Sequence, residues 1–473
     1  MDRTTNNEQR ATNYQYIYFL GIGGIGMSAI ARWFKANGKP VWGYDKTETV
    51  LTQNLAQEGI QIHFEDKVDL IPQEVKENKA ETLVVLTPAV PQDHTELNFF
   101  REQGFTIKKR SEVLGIITAN AFTIAVAGTH GKTSTSSMVS HLLHAAGIDC
   151  SAFLGGIAVN LNSNLALGNA QINGKPVIVV EADEYDRSFL TLHPDIAIVT
   201  NSDADHLDIY GDKDQLIHSF QDFISQIKPG GTLILNHNTD PRLTEKMSPG
   251  VNQITYSLEQ GDLKTTGISV SGRTFTFNLE NVDKNIPDLE LNVPGFHNVE
   301  NMLAAIQVCL ILQVPENAIR NGVKTYAGVK RRFEYIFEND NKVYIDDYAH
   351  HPTEIEAFIR SVKALYPGKK LKLIFQPHLF SRTRDFADGF AESLSRADEV
   401  VLLEIYPARE KPIPGVTSEI LLEKINSSQK TLQTKEEVLL NLQSGNDWDV
   451  LATVGAGNID TLVQPIKTIL EKL

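Results

Sequence analysis

Cysteine is almost missing from this chain: Cys150 and Cys309 are the only two in 473 residues. Two thiols cannot build a disulfide framework, and their spacing matches no metal-ligand pattern, so a reducing compartment is expected. Positive charge is also scarce. With 44 Lys and Arg against 59 Asp and Glu, the formal net charge is -15. That excludes a protein that wraps nucleic acid by neutralising phosphates, although a local basic pocket is compatible with it. No run of about 18 apolar residues is present, which excludes a membrane-spanning helix. Met1 to Asn13 is polar and lacks the apolar stretch of a secretory signal, so a cytoplasmic protein without membrane partners is expected. Repeats of solenoid period and low-complexity tracts are lacking too. What remains is an ordinary globular composition, 41% hydrophobic and 22% charged. The length exceeds what one core usually serves, and three domains are expected.

Apolar strands that alternate with helical stretches predict parallel βαβ units, hence an α/β fold. The pattern starts three times. Tyr14 to Leu20 runs into a Gly-rich turn and a helix, with further strands at Pro40 to Tyr44, Thr82 to Leu86 and Phe105 to Ile107. Phe122 to Ala127 opens a second set, continued at Pro176 to Val180, Asp195 to Thr200 and Gly231 to Leu235. Thr255 to Val293 alternates and is Thr-rich, which reads as a small antiparallel elaboration. A third set begins after Gly328, with strands at Val343 to Ile345, Lys372 to Phe375, Glu399 to Leu403 and Asp449 to Val454. Gln429 to Gln443 is polar enough to be expected as a mobile surface stretch. The resulting division is 1–119, 120–328 and 329–473: Rossmann-like, P-loop mononucleotide-binding and Rossmann-like.

Gly21, Gly23, Gly24 and Gly26 lie between the first strand and its helix, and Asp45 ends the second strand. Glycine allows a tight turn and close approach to a diphosphate, which the helix N-terminus stabilises. NAD, FAD and a UDP-sugar all offer that diphosphate. Gly128-Thr129-His130-Gly131-Lys132-Thr133, followed by Ser134, also sits between strand and helix. It departs from the strict phosphate-loop spacing at Val126. It still supplies backbone N–H groups, a lysine for the β and γ phosphates and a hydroxyl for Mg2+. Glu181-Ala182-Asp183-Glu184 and Asn201 to His206 follow strands of the same set, and Glu181 and His206 are candidate metal ligands there. In the third set, Asp346, Asp347, Tyr348, His350 and His351 follow one strand. Arg382 and Arg384 follow another and supply the fixed cations a carboxylate needs. Arg331 and Arg332 stand at the expected hinge.

Taken in order, GIGGIGMS, AGTHGKTST, EADEYD, NSDADHLDIYG, GFHNVENMLAA, RRFE, DDYAHHPTEI, FQPHLFSRTRDF and YPAREKPIPG resemble the Mur ligase family from about Tyr16 to Ile459. The resemblance implies a ligase of peptidoglycan precursor synthesis that uses ATP and Mg2+ to join L-alanine to the carboxylate of UDP-N-acetylmuramate. It implies small-molecule partners only, in a monomer or homodimer. It assigns Gly21, Gly23, Gly24, Gly26 and Asp45 to the UDP-sugar, and Gly128 to Ser134 with His297, Asn298 and Asn301 to ATP. Thr133, Glu181 and His206 become metal ligands, and Lys132, Arg332, His350, Asp346 and Asp347 the catalytic set. Tyr348, His350 and Arg382 resemble the residues that hold the amino acid.

Four departures stand out. Leu379 occupies a position where many members carry Arg, and Arg384 is the candidate replacement. Tyr185 replaces a Ser common in alanine-adding members, a feature shared with a relative that recycles whole stem peptides. Asn458 replaces a usual Asp. No Lys lies between Lys213 and Lys228 to serve as the carbamylated metal bridge of some relatives. Two rival readings are an NAD-dependent dehydrogenase, which leaves the phosphate loop unexplained, and a nucleotide-gated binding module without chemistry.

Overall fold

The structure, a computed structural model, describes residues 14–203, 210–282, 284–408, 410–444 and 447–472. The chain forms two compact units, Met1–Lys264 with Leu303–Gly322, and Thr265–Met302 with Val323–Leu473. Among the described residues no helix is long and apolar enough to cross a membrane.

The first unit holds two sheets. One is five-stranded and all parallel, in the spatial order Gln61–His63, Val41–Tyr44, Tyr16–Leu20, Thr82–Leu86, Thr106–Lys109. Its order reverses between Tyr16–Leu20 and Thr82–Leu86, so a crevice opens beyond the C-terminal ends of those two strands, where such sheets take ligands. The other sheet is centred on Phe122–Ala127. Lys175–Glu181 and Ser151–Ala158 lie on one side, and Ile196–Val199, Thr232–Asn236 and Asn252–Tyr256 on the other, all parallel. Such strands are buried on both faces and therefore read as unbroken apolar runs. Phe122–Ala127 is buried at five of its six positions. Ser163–Ala166 adds an antiparallel edge to Ser151–Ala158. A core of Phe19, Phe34, Phe153, Phe189, Phe220 and Phe223 runs through this unit.

The second unit contains the antiparallel pair Thr274–Asn281 and Ile286–Leu291. It also contains a six-stranded sheet ordered Glu334–Glu338, Val343–Asp347, Val450–Val454, Leu371–Phe375, Glu399–Leu402, Gln429–Leu432, parallel except for the first strand. Separate apolar clusters cover its two faces. The stretch from Gln429, expected to be mobile, is instead the edge strand Gln429–Leu432 followed by the helix Lys435–Ser444. Edge position explains the polar sequence: the strand is hydrogen-bonded along one side only, to Glu399–Leu402, and alternates exposed with half-buried residues.

Candidate functional site

The central strand Phe122–Ala127 and its neighbours Lys175–Glu181 and Ile196–Val199 end at one edge of their sheet, so three loops meet there. Gly128 and Gly131 have φ of +133° and +79°, in the half of conformational space that glycine alone enters freely. A Cβ on Gly128 would stand 2.1 Å from the Thr200 hydroxyl. Gly131 precedes the helix Lys132–Ala145 with no side-chain cap, which leaves the N–H groups of the first turn as an anion cradle. Neighbouring loops brace this turn. The Thr129 hydroxyl donates to Asn201, the Thr200 hydroxyl to the His130 carbonyl, and the Asp203 amide to Asn201 Oδ1 at 2.7 Å.

Lys132 bends back over its own loop. Its Nζ donates to the Gly128 carbonyl at 2.7 Å and sits 2.9 and 2.8 Å from the two carboxylate oxygens of Glu184, which is fully buried. Burial opposes the charge, but Glu184, Asp183 and Glu181 outweigh it and hold the ammonium's pKa above its ordinary value. Thr133 and Ser134 are buried in the first helical turn. The Glu181 carboxylate accepts the Gly155 N–H at 2.9 Å, and a Cβ on Gly155 would lie 2.3 Å from both of its oxygens. Glu181 and Thr133 are hard oxygen donors, a fit for Mg2+ that is also held by phosphate oxygens. Among the described residues no three His, Cys, Asp or Glu side chains converge as a self-sufficient metal cage. His206 lies outside the described residues.

In the five-stranded sheet, Gly21 has φ +83°, and a Cβ there would meet Thr87 at 2.4 Å, just beyond the Thr82–Leu86 strand. The turn therefore fills the reversal crevice. The amides of Gly21 and Ile22 donate to the Tyr44 carbonyl, and the Gly23 amide donates to Asp45 Oδ2 at 2.7 Å. Asp45, which the resemblance assigns to the UDP-sugar, here closes the glycine turn through its Oδ2. Gly24 precedes the helix Ile25–Ala36 without a side-chain cap. Beside Gly26 lies a group that no motif signals: Arg110, whose guanidinium would stand 2.5 Å from a Cβ on Gly26 and which pairs with Asp183 at 3.2 Å.

The second unit gathers its functional side chains along the C-terminal edge of the six-stranded sheet. Asp346 and Asp347 end one strand and are both buried. Asp346 accepts from Arg331 Nε at 3.0 Å and from Thr453 at 2.6 Å. Burial, only partly countered by Arg331 and Thr453, raises its pKa. Asp347 accepts the amides of Phe333 at 2.7 Å and Ala349 at 2.8 Å, and burial, opposed by Arg332 and those amides, pushes its carboxyl up to about 6. The pair thus holds the segment around Arg332. Arg331 and Phe333, on either side, have φ of +61° and +51°, and the Tyr348 amide donates to the Arg331 carbonyl at 2.7 Å. Arg332 lies over the Tyr348 ring, 5.1 Å from its centre.

His350 follows, with Nδ1 3.0 Å from the Tyr348 carbonyl and its ring 6.2 Å from that of His378. Glu354, in the first turn of the helix Pro352–Leu365, stands beside His350 and Arg332. At the start of helix Phe296–Ile311, burial, with help from Arg332, pushes His297 down to about 4 and keeps its ring neutral. Its Nδ1 is shut off from solvent without a partner among the described residues. Asn298 and Asn301 are buried in the next turn, Asn298 donating to the Pro294 carbonyl at 2.6 Å.

Arg382 is buried in the short helix Phe380–Asp385, 3.4 Å from His378 Nδ1. The His378 ring stacks on Tyr406 at 5.8 Å, and Glu410 accepts the Ser381 amide at 3.0 Å. The segment that begins at Tyr406 thus belongs to this cluster. His378, Tyr406 and Glu410 lie in the FQPHLFSRTRDF and YPAREKPIPG stretches but drew no role from the sequence, because aromatic stacking and capping leave no spacing pattern in it. Arg384 lies at the rim of this cluster, where it feels the charge of Glu410. Two residues round a helix turn it about 200° away from Arg382, and its half-exposed side chain pairs with Asp385 at 2.7 Å. Asn458 accepts from Gln376 Nε2 at 3.0 Å. Nothing in the structure explains Tyr185.

Three families match successive parts of the chain: "Mur ligase family, catalytic domain" over residues 16–122, "Mur ligase middle domain" over 126–309 and "Mur ligase, glutamate ligase domain" over 331–457. A UDP-N-acetylmuramate--L-alanine ligase from Parabacteroides distasonis is 50% identical over 459 residues, 96% of this chain and 97% of that protein. A protein of the same name from Cytophaga hutchinsonii is 48% identical over 461 residues, 98% of each. Among solved structures, a UDP-N-acetylmuramate-alanine ligase from Thermotoga maritima superposes with a TM-score of 0.79 at 29% identity, covering 97% of this chain and 98% of that one. Matched in three successive segments and alike almost from end to end, this three-domain α/β chain belongs to the Mur ligase family.

Proposed function

We propose that the chain is an ATP-dependent amide ligase that joins L-alanine to the carboxylate of UDP-N-acetylmuramate in the cytoplasmic synthesis of peptidoglycan precursors. One observation carries the reading: a lysine held charged over a glycine-shaped anion loop, in a chain whose end-to-end relatives at 48–50% identity bear that activity as their name. In this reading residues 1–119 bind the UDP-sugar through Gly21, Gly23, Gly24, Gly26 and Asp45. Residues 120–328 bind ATP through Gly128 to Ser134 with His297, Asn298 and Asn301, and residues 329–473 bind alanine through Tyr348, His350 and Arg382.

Lys132 and Arg332 spread the charge of the γ-phosphoryl group while the muramyl carboxylate attacks it and ADP leaves. Thr133, Glu181 and His206 would hold Mg2+, which when bound neutralises phosphate oxygens. The product of this step is an acyl phosphate. Arg382 fixes the alanine carboxylate, which places the amine for attack on the acyl carbon, and His350 accepts the proton as phosphate departs. Asp346 and Asp347 contribute by holding the backbone that presents Arg332 and Tyr348.

Tyr185 favours one second reading, in which a stem peptide replaces alanine as the acceptor. Phosphate release in the presence of UDP-N-acetylmuramate and ATP, run with alanine, serine, glycine and a stem tripeptide, separates the two. Release that requires alanine supports the ligase proposed here. Preference for the tripeptide replaces it.

A further inference from the structure

Glu354 has no part in the reaction as derived above, yet three contacts of candidate residues converge on its carboxylate. It is the third residue of the helix Pro352–Leu365, where the free N–H groups of the first turn favour an anion. From there the side chain reaches back over the preceding loop. The His350 amide donates to Oε2 at 2.9 Å, His350 Nδ1 lies 3.3 Å from the same oxygen, and Arg332 lies 3.8 Å from Oε1. Both Glu354 and the His350 ring are largely withdrawn from solvent, with side-chain exposures of 13% and 17%.

These contacts decide which ring nitrogen of His350 carries hydrogen. Nδ1 stands 3.0 Å from the Tyr348 carbonyl oxygen, which can only accept, so Nδ1 is the protonated nitrogen. In the neutral ring Nε2 then holds the lone pair. An Nδ1–H between a carbonyl and a carboxylate fixes the orientation of the ring and stabilises the imidazolium that forms when Nε2 takes a proton.

Resting on the ligase reading, we propose that Glu354 is a positioning residue for amide formation, acting through His350. The neutral amine of alanine attacks the acyl carbon, and a C–N bond forms. Its proton passes to Nε2 of His350, and the bond from the acyl carbon to the phosphate oxygen breaks with its electron pair leaving on inorganic phosphate. Glu354 faces the imidazolium so produced. Its contact with Arg332, at 3.8 Å, lies beyond hydrogen-bond reach, and Arg332 also packs over the Tyr348 ring, so formation of the acyl phosphate is expected to depend less on Glu354 than the amide step does.

The test compares two nucleophiles in the full-length enzyme. Both nucleophiles shed a proton on acylation, but hydroxylamine is neutral near pH 7 and strongly nucleophilic, so it traps an acyl phosphate with its proton passing to water, whereas the alanine amine relies on the positioned base. With Glu354→Gln, alanine-dependent amide formation is expected to fall at least about 30-fold in kcat. Hydroxamate formation should stay within about 3-fold, and the KM values for ATP and UDP-N-acetylmuramate within about 2-fold. Glu354→Asp keeps the charge but shortens the reach, and should lose less while still favouring hydroxylamine. If the Gln variant fails to fold, the Asp variant decides by the same ratio. Equal loss with both nucleophiles, or no loss with alanine, overturns the role of Glu354. If the unaltered enzyme gives neither amide nor hydroxamate, the ligase reading fails instead.

Discussion

Gly155 offers a way to disturb Glu181 without touching it. The glycine lies in the strand Ser151–Ala158 with an ordinary φ, so alanine adds no backbone strain. Its new Cβ, however, would stand 2.3 Å from both carboxylate oxygens of Glu181, where a non-bonded contact needs about 3.4 Å. Those oxygens are the far end of a flexible side chain, so the carboxylate, rather than the fold, gives way, by about 1 Å. A Mg2+ ligand works at about 2.1 Å with little tolerance, and a displaced support typically costs about 10–100-fold in metal affinity. That is about 1.4–2.8 kcal/mol at the metal, against about 1–3 kcal/mol in folding for overpacking, toward the lower end here because a flexible side chain gives way. Gly155→Ala should therefore raise the Mg2+ concentration for half-maximal phosphate release at least about 10-fold, while the melting temperature moves by only a few degrees. Glu181→Gln should reproduce the shift. A folded Gly155→Ala enzyme with unchanged Mg2+ dependence would refute the assignment of Glu181 as a ligand.

Lys132→Ala should lower turnover at least about 100-fold, about 2.7 kcal/mol of lost transition-state stabilisation, with UDP-sugar affinity by calorimetry unchanged. Near-normal turnover would remove the ATP-site assignment. Arg382→Lys should raise the KM for alanine about 10-fold or more, because a point charge replaces a planar fork. Arg384→Ala should leave that KM within about 2-fold, and a matching defect would place Arg384 in the site. Glu96, wholly buried and hydrogen-bonded to Tyr18, is pushed up to about 7, chiefly by burial. A carboxyl raised in the folded state contributes stability that is present below its unfolded pKa and is lost as pH rises through the folded value. Glu96→Gln lacks that loss, so its stability relative to the parent should rise by about 3 kcal/mol between pH 4 and pH 8 in urea titrations. A difference that does not change with pH would contradict the shift.

The parallel cores were legible because strands buried on both faces leave continuous apolar runs, and Thr82–Leu86 and Phe122–Ala127 were read to the residue. The phosphate loop was legible because Gly128 and Gly131 must be glycine. Edges were harder to read. Gln61–His63 and Gln429–Leu432 are polar strands with one unpaired side, and their composition resembles a loop. Within the candidate site, chemistry-bearing residues could be named, but the division of labour among them could not. Asp346 and Asp347 look like catalytic acids in the sequence, and the structure ties both into the support of Arg332. Glu354 drew no role from the sequence because only the backward reach of its side chain reveals the contact with His350.

The two left-handed residues that flank Arg332 bear on engineering. Each non-glycine residue at positive φ costs about 1–2 kcal/mol, so the stretch from Arg331 to Phe333 is a local reservoir of strain held shut by buried aspartates. Selection for heat resistance alone will leave that reservoir in place. Glycine at 331 would release strain but strip the buried Asp346 of its cation, and glycine at 333 would empty a buried site of the apolar core, each at a cost of about 3–5 kcal/mol. Hardened variants recovered from such a screen should therefore spare these two positions, and the strain around Arg332 persists because the side chains that carry it are also the ones that hold the fold.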